Sequence, residues 1–207
     1  LTPEMTDKNI HLTRTMQASI FYIGFNMLDK KVGGTNERVR KLRQAISIAI
    51  NYEEYIAIFY NGRGIASQGP LPPGIYGYKD GEKGINPYVY EWNNGQLKRK
   101  SLDYAKQLMK EAGYPNGVDP TTGKALILNY DVASTGNPED KSILDWMRKQ
   151  FANIGIDLNV RATLYNRFQE KMRNGDAQIF TWGWSADYPD PENFLFQLYG
   201  RNSKVLN

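Results

Sequence analysis

A strand, a helix and a second strand follow one another closely in the second half of this chain, and that succession constrains its fold most. Ala125 to Asp131 (ALILNYD) is a short apolar run of strand character. Pro138 to Asn153 reads as a helix with Asn137 as its cap, because Leu144, Met147, Phe151 and Ile154 recur on one face. Ile156 to Arg161 (IDLNVR) is a second strand. A helix of that length carries the chain back across a sheet, so the two strands pair in parallel through a right-handed crossover, near Leu128 and Leu158. A helix over Tyr165 to Arg173, a turn at Asn174-Gly175, a strand from Ala177 to Trp182 and a short helix over Pro189 to Tyr199 continue the alternation. The fold class is therefore α/β, a mixed or parallel sheet with βαβ units and helices packed on it.

The first half supplies further elements. Ser19 to Met27 (SIFYIGFNM) has the pattern of a buried strand. Asn36 caps a helix with Val39, Leu42, Ala45, Ile46, Ala49 and Ile50 on one face, and Asn51 caps a second helix that ends before Gly62. From Gly62 to Asn94 the chain is dense in Gly, Pro, Tyr and Asn, which predicts an ordered excursion without regular elements. Ser101 opens a helix that runs through Ala112 and stops at Gly113, with Pro115 beyond it. No internal repeat or long linker divides the sequence, so residues 1–207 are expected to form a single unit.

Composition removes several function classes. Cysteine is absent, so disulfides and thiolate chemistry are excluded, and the lone His11 offers no histidine cluster for a metal. No cofactor is expected. The net charge of +4 includes a basic cluster at Arg38, Arg40, Lys41 and Arg43, but these residues lie within an amphipathic helix pattern and read as its solvated face. Nucleic acid is not an expected partner. No run of 18 apolar residues is present to span a membrane as a helix. A start at Leu1, without Met or a signal-like segment, suggests a piece of a longer protein. Aromatic residues make up 13%, which fits either a ligand cleft or an aromatic core.

The segment TWGWSADYPDP, Thr181 to Pro191, sets two Trp, a Tyr and two Asp between a predicted strand and a predicted helix. In open α/β sheets, ligands gather beyond the carboxyl ends of strands. Gly183 permits close approach of another backbone, Trp182, Trp184 and Tyr188 can wall a pocket, and Asp187 can hold a cation. Alternation requires some of these aromatics to face the core. Asp190 reads as a turn or cap residue, Asn26 as a backbone tie and Pro72-Pro73 as a loop stiffener.

Five pieces resemble, in order, the solute-binding proteins of oligopeptide and dipeptide ABC transporters: FYIGFN (Phe21 to Asn26), ERVRKLRQAISIAINYEEYI (Glu37 to Ile56), the GRG and GPLPPG loop, LDYAKQLMKEAGYPNG, and GWSADYPDPENF. The resemblance covers nearly the whole chain. It implies part of one lobe of a two-lobed, periplasmic protein that closes around a peptide or other small solute and delivers it to an ABC membrane permease. It further implies that the backbone of Gly183 and Ser185 pairs with an extended ligand, and that Asp187 meets the ligand's α-ammonium. A ligand carboxylate would need a partner elsewhere, for which Arg63 in the GRG loop is the candidate. Two other classes compete: carriers of oligosaccharides, which also use aromatic platforms, and a hydrolase using Asp187 and Asp190 as a carboxylate pair. The latter pair has no designed separation, and no nucleophile and base accompany it, so no enzyme is expected.

Overall fold

The computed structural model describes residues 2–13 and 15–203. In chain order the elements are α1 (Pro3–Asp7), β1 (Ser19–Phe25), α2 (Glu37–Ala49), α3 (Tyr52–Phe59), β2 (Tyr90–Asn93), β3 (Gln96–Arg99), α4 (Leu102–Glu111), β4 (Val118–Asp119), β5 (Lys124–Ala125), β6 (Ile127–Ala133), α5 (Pro138–Ala152), β7 (Asp157–Thr163), α6 (Tyr165–Asn174), β8 (Ile179–Ser185) and α7 (Glu192–Leu195). They divide between two compact units. The larger comprises Phe21–Gly69 and Asp80–Gly183, the smaller Leu1–Ile20, Pro70–Lys79 and Trp184–Asn207.

The larger unit is built on a four-stranded sheet of order β1-β8-β6-β7. β6 and β7 are parallel, with Leu128 opposite Leu158 as the spacing predicts, and α5 is their crossover. Asn137 accepts a hydrogen bond from the Asp140 N–H, and Pro138 occupies the first turn, where its missing donor costs nothing. β6 also pairs in parallel with β8, at Tyr130↔Ile179 and Asp131↔Phe180. β1 runs antiparallel to β8: the Asn26 N–H bonds the Gln178 carbonyl, Gly24 lies opposite Phe180, and Phe21 lies opposite Gly183. At both glycines an added Cβ would come within 2.3 Å of the facing ring, so each aromatic covers a residue that must lack a side chain. The sheet is mixed.

One face of this sheet carries the core. Leu42, Ala45, Ile46, Ile48 and Ala49 of α2, Ala105, Leu108 and Met109 of α4, and Leu144, Met147 and Phe151 of α5 are buried with Leu128, Tyr130, Leu158 and Ile179 from the strands. Burial of each large aliphatic side chain is worth roughly 1.5–3 kcal/mol, so this cluster dominates the unit's stability. Tyr55 and Phe59 of α3 pack edgewise and tilted against Trp146 at 6.2 Å or less, which assigns part of the aromatic share to the core. Tyr130 is buried deeply enough to push its phenol up to about 12, and it hydrogen-bonds Thr181.

The opposite face is polar where it meets α6. Asp131 is fully buried and pairs with both Arg161 of β7 and Lys171 of α6. Near the start of β8, Gln178 donates to the Asp29 carboxylate and accepts from the Asn129 N–H. Burial alone would raise the Asp29 carboxyl, but hydrogen bonds from Val32, Gln178 and Lys31 hold it below its ordinary value. Asn26 is the backbone tie it was expected to be: its amide donates to the carbonyls of Gly175 and Ala177, and its oxygen accepts from the Leu28 N–H.

Several expectations need adjustment. The strand expected to be buried over Ser19 to Met27 is the half-buried β1, with Phe21 exposed, and the helix expected over Pro189 to Tyr199 is limited to α7, Glu192–Leu195. The irregular stretch does not extend to Asn94, because β2 and β3 form a hairpin around Asn94-Gly95, both at positive φ (50° and 79°), a two-residue turn that asparagine and glycine adopt readily. The strand expected from Ala125 to Asp131 is two elements: β5 pairs with β4, and β6 begins at Ile127 and continues to Ala133. The basic cluster is more than a solvated face. Arg38 donates to the Ala112 carbonyl, Lys41 bridges Glu37 and Glu111, and Arg43 donates to the carbonyls of Val32 and Gly34.

In the smaller unit, Thr2 caps α1 and Pro3 opens it. Ile75, Asn193 and Phe194 are buried, whereas Tyr76 is 87% exposed. Among the described residues, no helix is long and apolar enough to cross a membrane.

Candidate functional site

Apart from Arg63, which follows α3, the candidate residues lie in β8 and the turn that follows it. β8 alternates, so Trp182 and Trp184 share one side of the strand while Gly183 and Ser185 share the other. Trp182, in the larger unit, packs edgewise on the buried Phe168 of α6 at 5.3 Å. Its ring thus packs against α6 and lies outside the main core cluster.

The hydrogen bonds to β1 also fix where each β8 backbone group points. In an antiparallel pair, alternate residues bond to the neighbour and the ones between them face away. The Gln178 carbonyl accepts from the Asn26 N–H, and the Ala186 N–H donates to the Ala18 carbonyl, so the even-numbered residues face β1. The N–H and C=O of Gly183 and Ser185 consequently face the other edge. On that edge, among the described residues, pairing with β6 is confined to Ile179 and Phe180. The main chain at Gly183 therefore has no sheet partner on the side away from β1. Its lack of a side chain is enforced by Phe21, which is itself 70% exposed.

In the smaller unit, Ser185 is exposed and its hydroxyl lies 3.0 Å from that of Ser19. Trp184 is half-buried, packs edgewise on Phe196 at 5.0 Å, and donates its indole N–H to the Asn193 side-chain oxygen at 2.7 Å. The same oxygen accepts the Asp187 backbone N–H at 3.4 Å. A buried amide thus anchors both ends of the Trp184 to Asp187 stretch. The Asp187 carboxylate is exposed and has no partner among the described residues, which leaves it free to accept from a cation. Tyr188 is 49% exposed. Asp190 behaves as a cap, its carboxylate accepting the Glu192 N–H at 2.8 Å at the entrance of α7. Arg63, in the larger unit, is exposed and bonds the Tyr60 carbonyl.

Sequence reasoning missed Asn193 and Ser19. No spacing rule marks an asparagine inside a predicted helix as the acceptor for an upstream indole. The alternation of β8 did carry the orientation of Gly183 and Ser185, once the strand's phase against β1 was known.

Comparison with known proteins identifies the family. Residues 2–204 match the model of the bacterial extracellular solute-binding proteins, family 5 Middle. The chain is 30% identical over 198 residues to heme-binding protein A of Haemophilus influenzae, covering 96% of this chain and 32% of that protein. It is 24% identical to the dipeptide-binding protein of Escherichia coli, covering 93% and 32% respectively. Among solved structures, the periplasmic binding protein DppA of Helicobacter pylori in complex with the peptide STSA superposes with a TM-score of 0.66 at 27% identity, over 89% of this chain and 30% of that one. The murein tripeptide binding protein MppA of Escherichia coli, at 19% identity, reaches 0.71 over 92% and 33%, a likeness of fold. The chain spans about a third of the length of the curated relatives it matches. These proteins are binding proteins rather than enzymes, and they bear out the resemblance carried by FYIGFN and GWSADYPDPENF. The chain belongs to the bacterial extracellular solute-binding proteins of family 5.

Proposed function

We propose that this chain is part of one lobe of a periplasmic carrier that encloses short peptides in a cleft between two lobes and delivers them to an ABC membrane permease. The observation that carries the peptide reading is the open backbone edge of β8 at Gly183. An extended peptide adds to such an edge as a further strand, pairing with the main chain of Gly183 and Ser185. Main-chain pairing ignores side chains, which suits a carrier of varied peptides. An oligosaccharide has no alternating N–H and C=O groups to match the edge, and the planar ring of a heme has none either.

Asp187 is the partner of the ligand's α-ammonium, its carboxylate being otherwise free and its backbone anchored by Asn193. Trp184 and Tyr188 are the aromatic residues that flank the ligand, whereas Trp182 is engaged with Phe168. Arg63 is the candidate for the ligand carboxylate. Asp190, engaged in its cap, is a poor member of a catalytic pair, in keeping with a carrier.

The test is Asp187→Asn in the intact parent protein, with calorimetry on peptides bearing free or acetylated amino termini. A charge pair desolvated by cleft closure loses about 2–5 kcal/mol when one partner is removed. Free-amino peptides should weaken by that amount and acetylated ones hardly at all. Equal losses for both would remove Asp187 from the ammonium site.

A further inference from the structure

The sequence contains four Asn-Gly pairs, at Asn61-Gly62, Asn94-Gly95, Asn116-Gly117 and Asn174-Gly175. Such a pair can cyclise. The glycine's amide nitrogen attacks the asparagine side-chain carbonyl carbon, a C–N bond forms, the carboxamide C–N bond breaks, and ammonia leaves carrying the amide proton. Water then opens the resulting succinimide at either carbonyl, giving aspartate or isoaspartate. Glycine favours the ring because no side chain obstructs the approach. All four pairs share that advantage, so their local structure decides among them.

The deciding group is the glycine N–H. Gly62 donates to the Ile56 carbonyl at 3.0 Å, Gly117 to Tyr114 at 3.0 Å, and Gly175 to Met172 at 3.2 Å. A donated hydrogen bond points the nitrogen away from the preceding side chain and opposes loss of its proton. Gly117 is also buried against the Gly155 backbone, which leaves no room for a ring. The Gly95 N–H has no acceptor among the described residues. Asn94 and Gly95 are both exposed, so water and base reach them, and they cap a hairpin that is only two strands wide. Ribbons of that width open readily at the tip, which releases the backbone into the conformation needed for attack.

We infer that Asn94 is a site of spontaneous deamidation, singled out from the other three asparagines by the free amide of Gly95. The aspartate product adds a negative charge at the hairpin tip. The isoaspartate product inserts an extra backbone carbon into a two-residue turn and breaks the pairing of Asn93 with Gln96.

The experiment holds the full chain in mildly alkaline buffer, native and in denaturant, and follows the four sites by proteolysis and mass spectrometry, with isoaspartyl methyltransferase labelling of the products. In the native chain, Asn94 should exchange NH for O at least about fivefold faster than any of the other three, the factor that one hydrogen bond of ordinary net strength is worth. In denaturant the four rates should converge. Native rates at Asn94 no higher than elsewhere would overturn the inference. A preference for Asn94 that persists unchanged in denaturant would also overturn it, by assigning the effect to flanking sequence.

Discussion

Asn193 shows what a single residue does for the candidate site. Its buried oxygen accepts from both the Trp184 indole and the Asp187 backbone, so it sets the indole's tilt and the position from which the Asp187 carboxylate projects. Asn193→Ala should cost about 1–3 kcal/mol in denaturant unfolding, the typical penalty for stranding donors in a partly buried site. In the intact protein it should weaken free-amino peptides without abolishing their preference over acetylated ones. Unchanged stability would mean that water replaces the lost acceptor. The segment that holds Gly183, Trp184 and Asp187 stood out in the sequence as a candidate because turn chemistry and aromatic clustering mark it. Asn193 was not, since its role depends on a contact that folds back across a turn and leaves no periodic trace. Asn26 and Asp190 were legible because Asn and Asp bond nearby backbone wherever a chain turns.

Capping and hydrophobic period made the helices readable, and the βαβ spacing gave the parallel pairing of β6 with β7 at the correct register. The β2–β3 hairpin escaped because its strands are only four residues long and largely polar, with Tyr90 the one buried residue among them, although Asn94-Gly95 is a direct turn signal. Charge burial escaped for a different reason. In β6, Asp131 occupies the face opposite the core, which alternation alone assigns to solvent, yet α6 covers that face and brings Lys171 to it while β7 brings Arg161. Asp131 thereby holds three elements together. Asp131→Ala should cost about 3–5 kcal/mol, because two partly buried cations lose the anion they share. Exchanging Asp145, exposed on α5, for Ala should cost under about 1 kcal/mol, because its bond to Arg148 is a surface pair. Urea titration of the two variants measures both, and comparable losses would contradict the structural role given to Asp131.

For the molecule as a whole, the chain corresponds to about a third of its relatives' length, and the proposed carrier function is that of the intact parent protein. Relatives of similar likeness carry names as different as heme-binding and dipeptide-binding, so family membership alone does not select the cargo. In the function proposed above, it is the backbone edge at Gly183 and the unpaired carboxylate of Asp187 that would select peptides. Native mass spectrometry of the intact parent protein, offered a library of short peptides together with hemin and oligosaccharides, tests that selection most directly. Peptides of varied sequence, all with a free amino terminus, should be retained. Retention of hemin or a sugar with every peptide left unbound would contradict that selection.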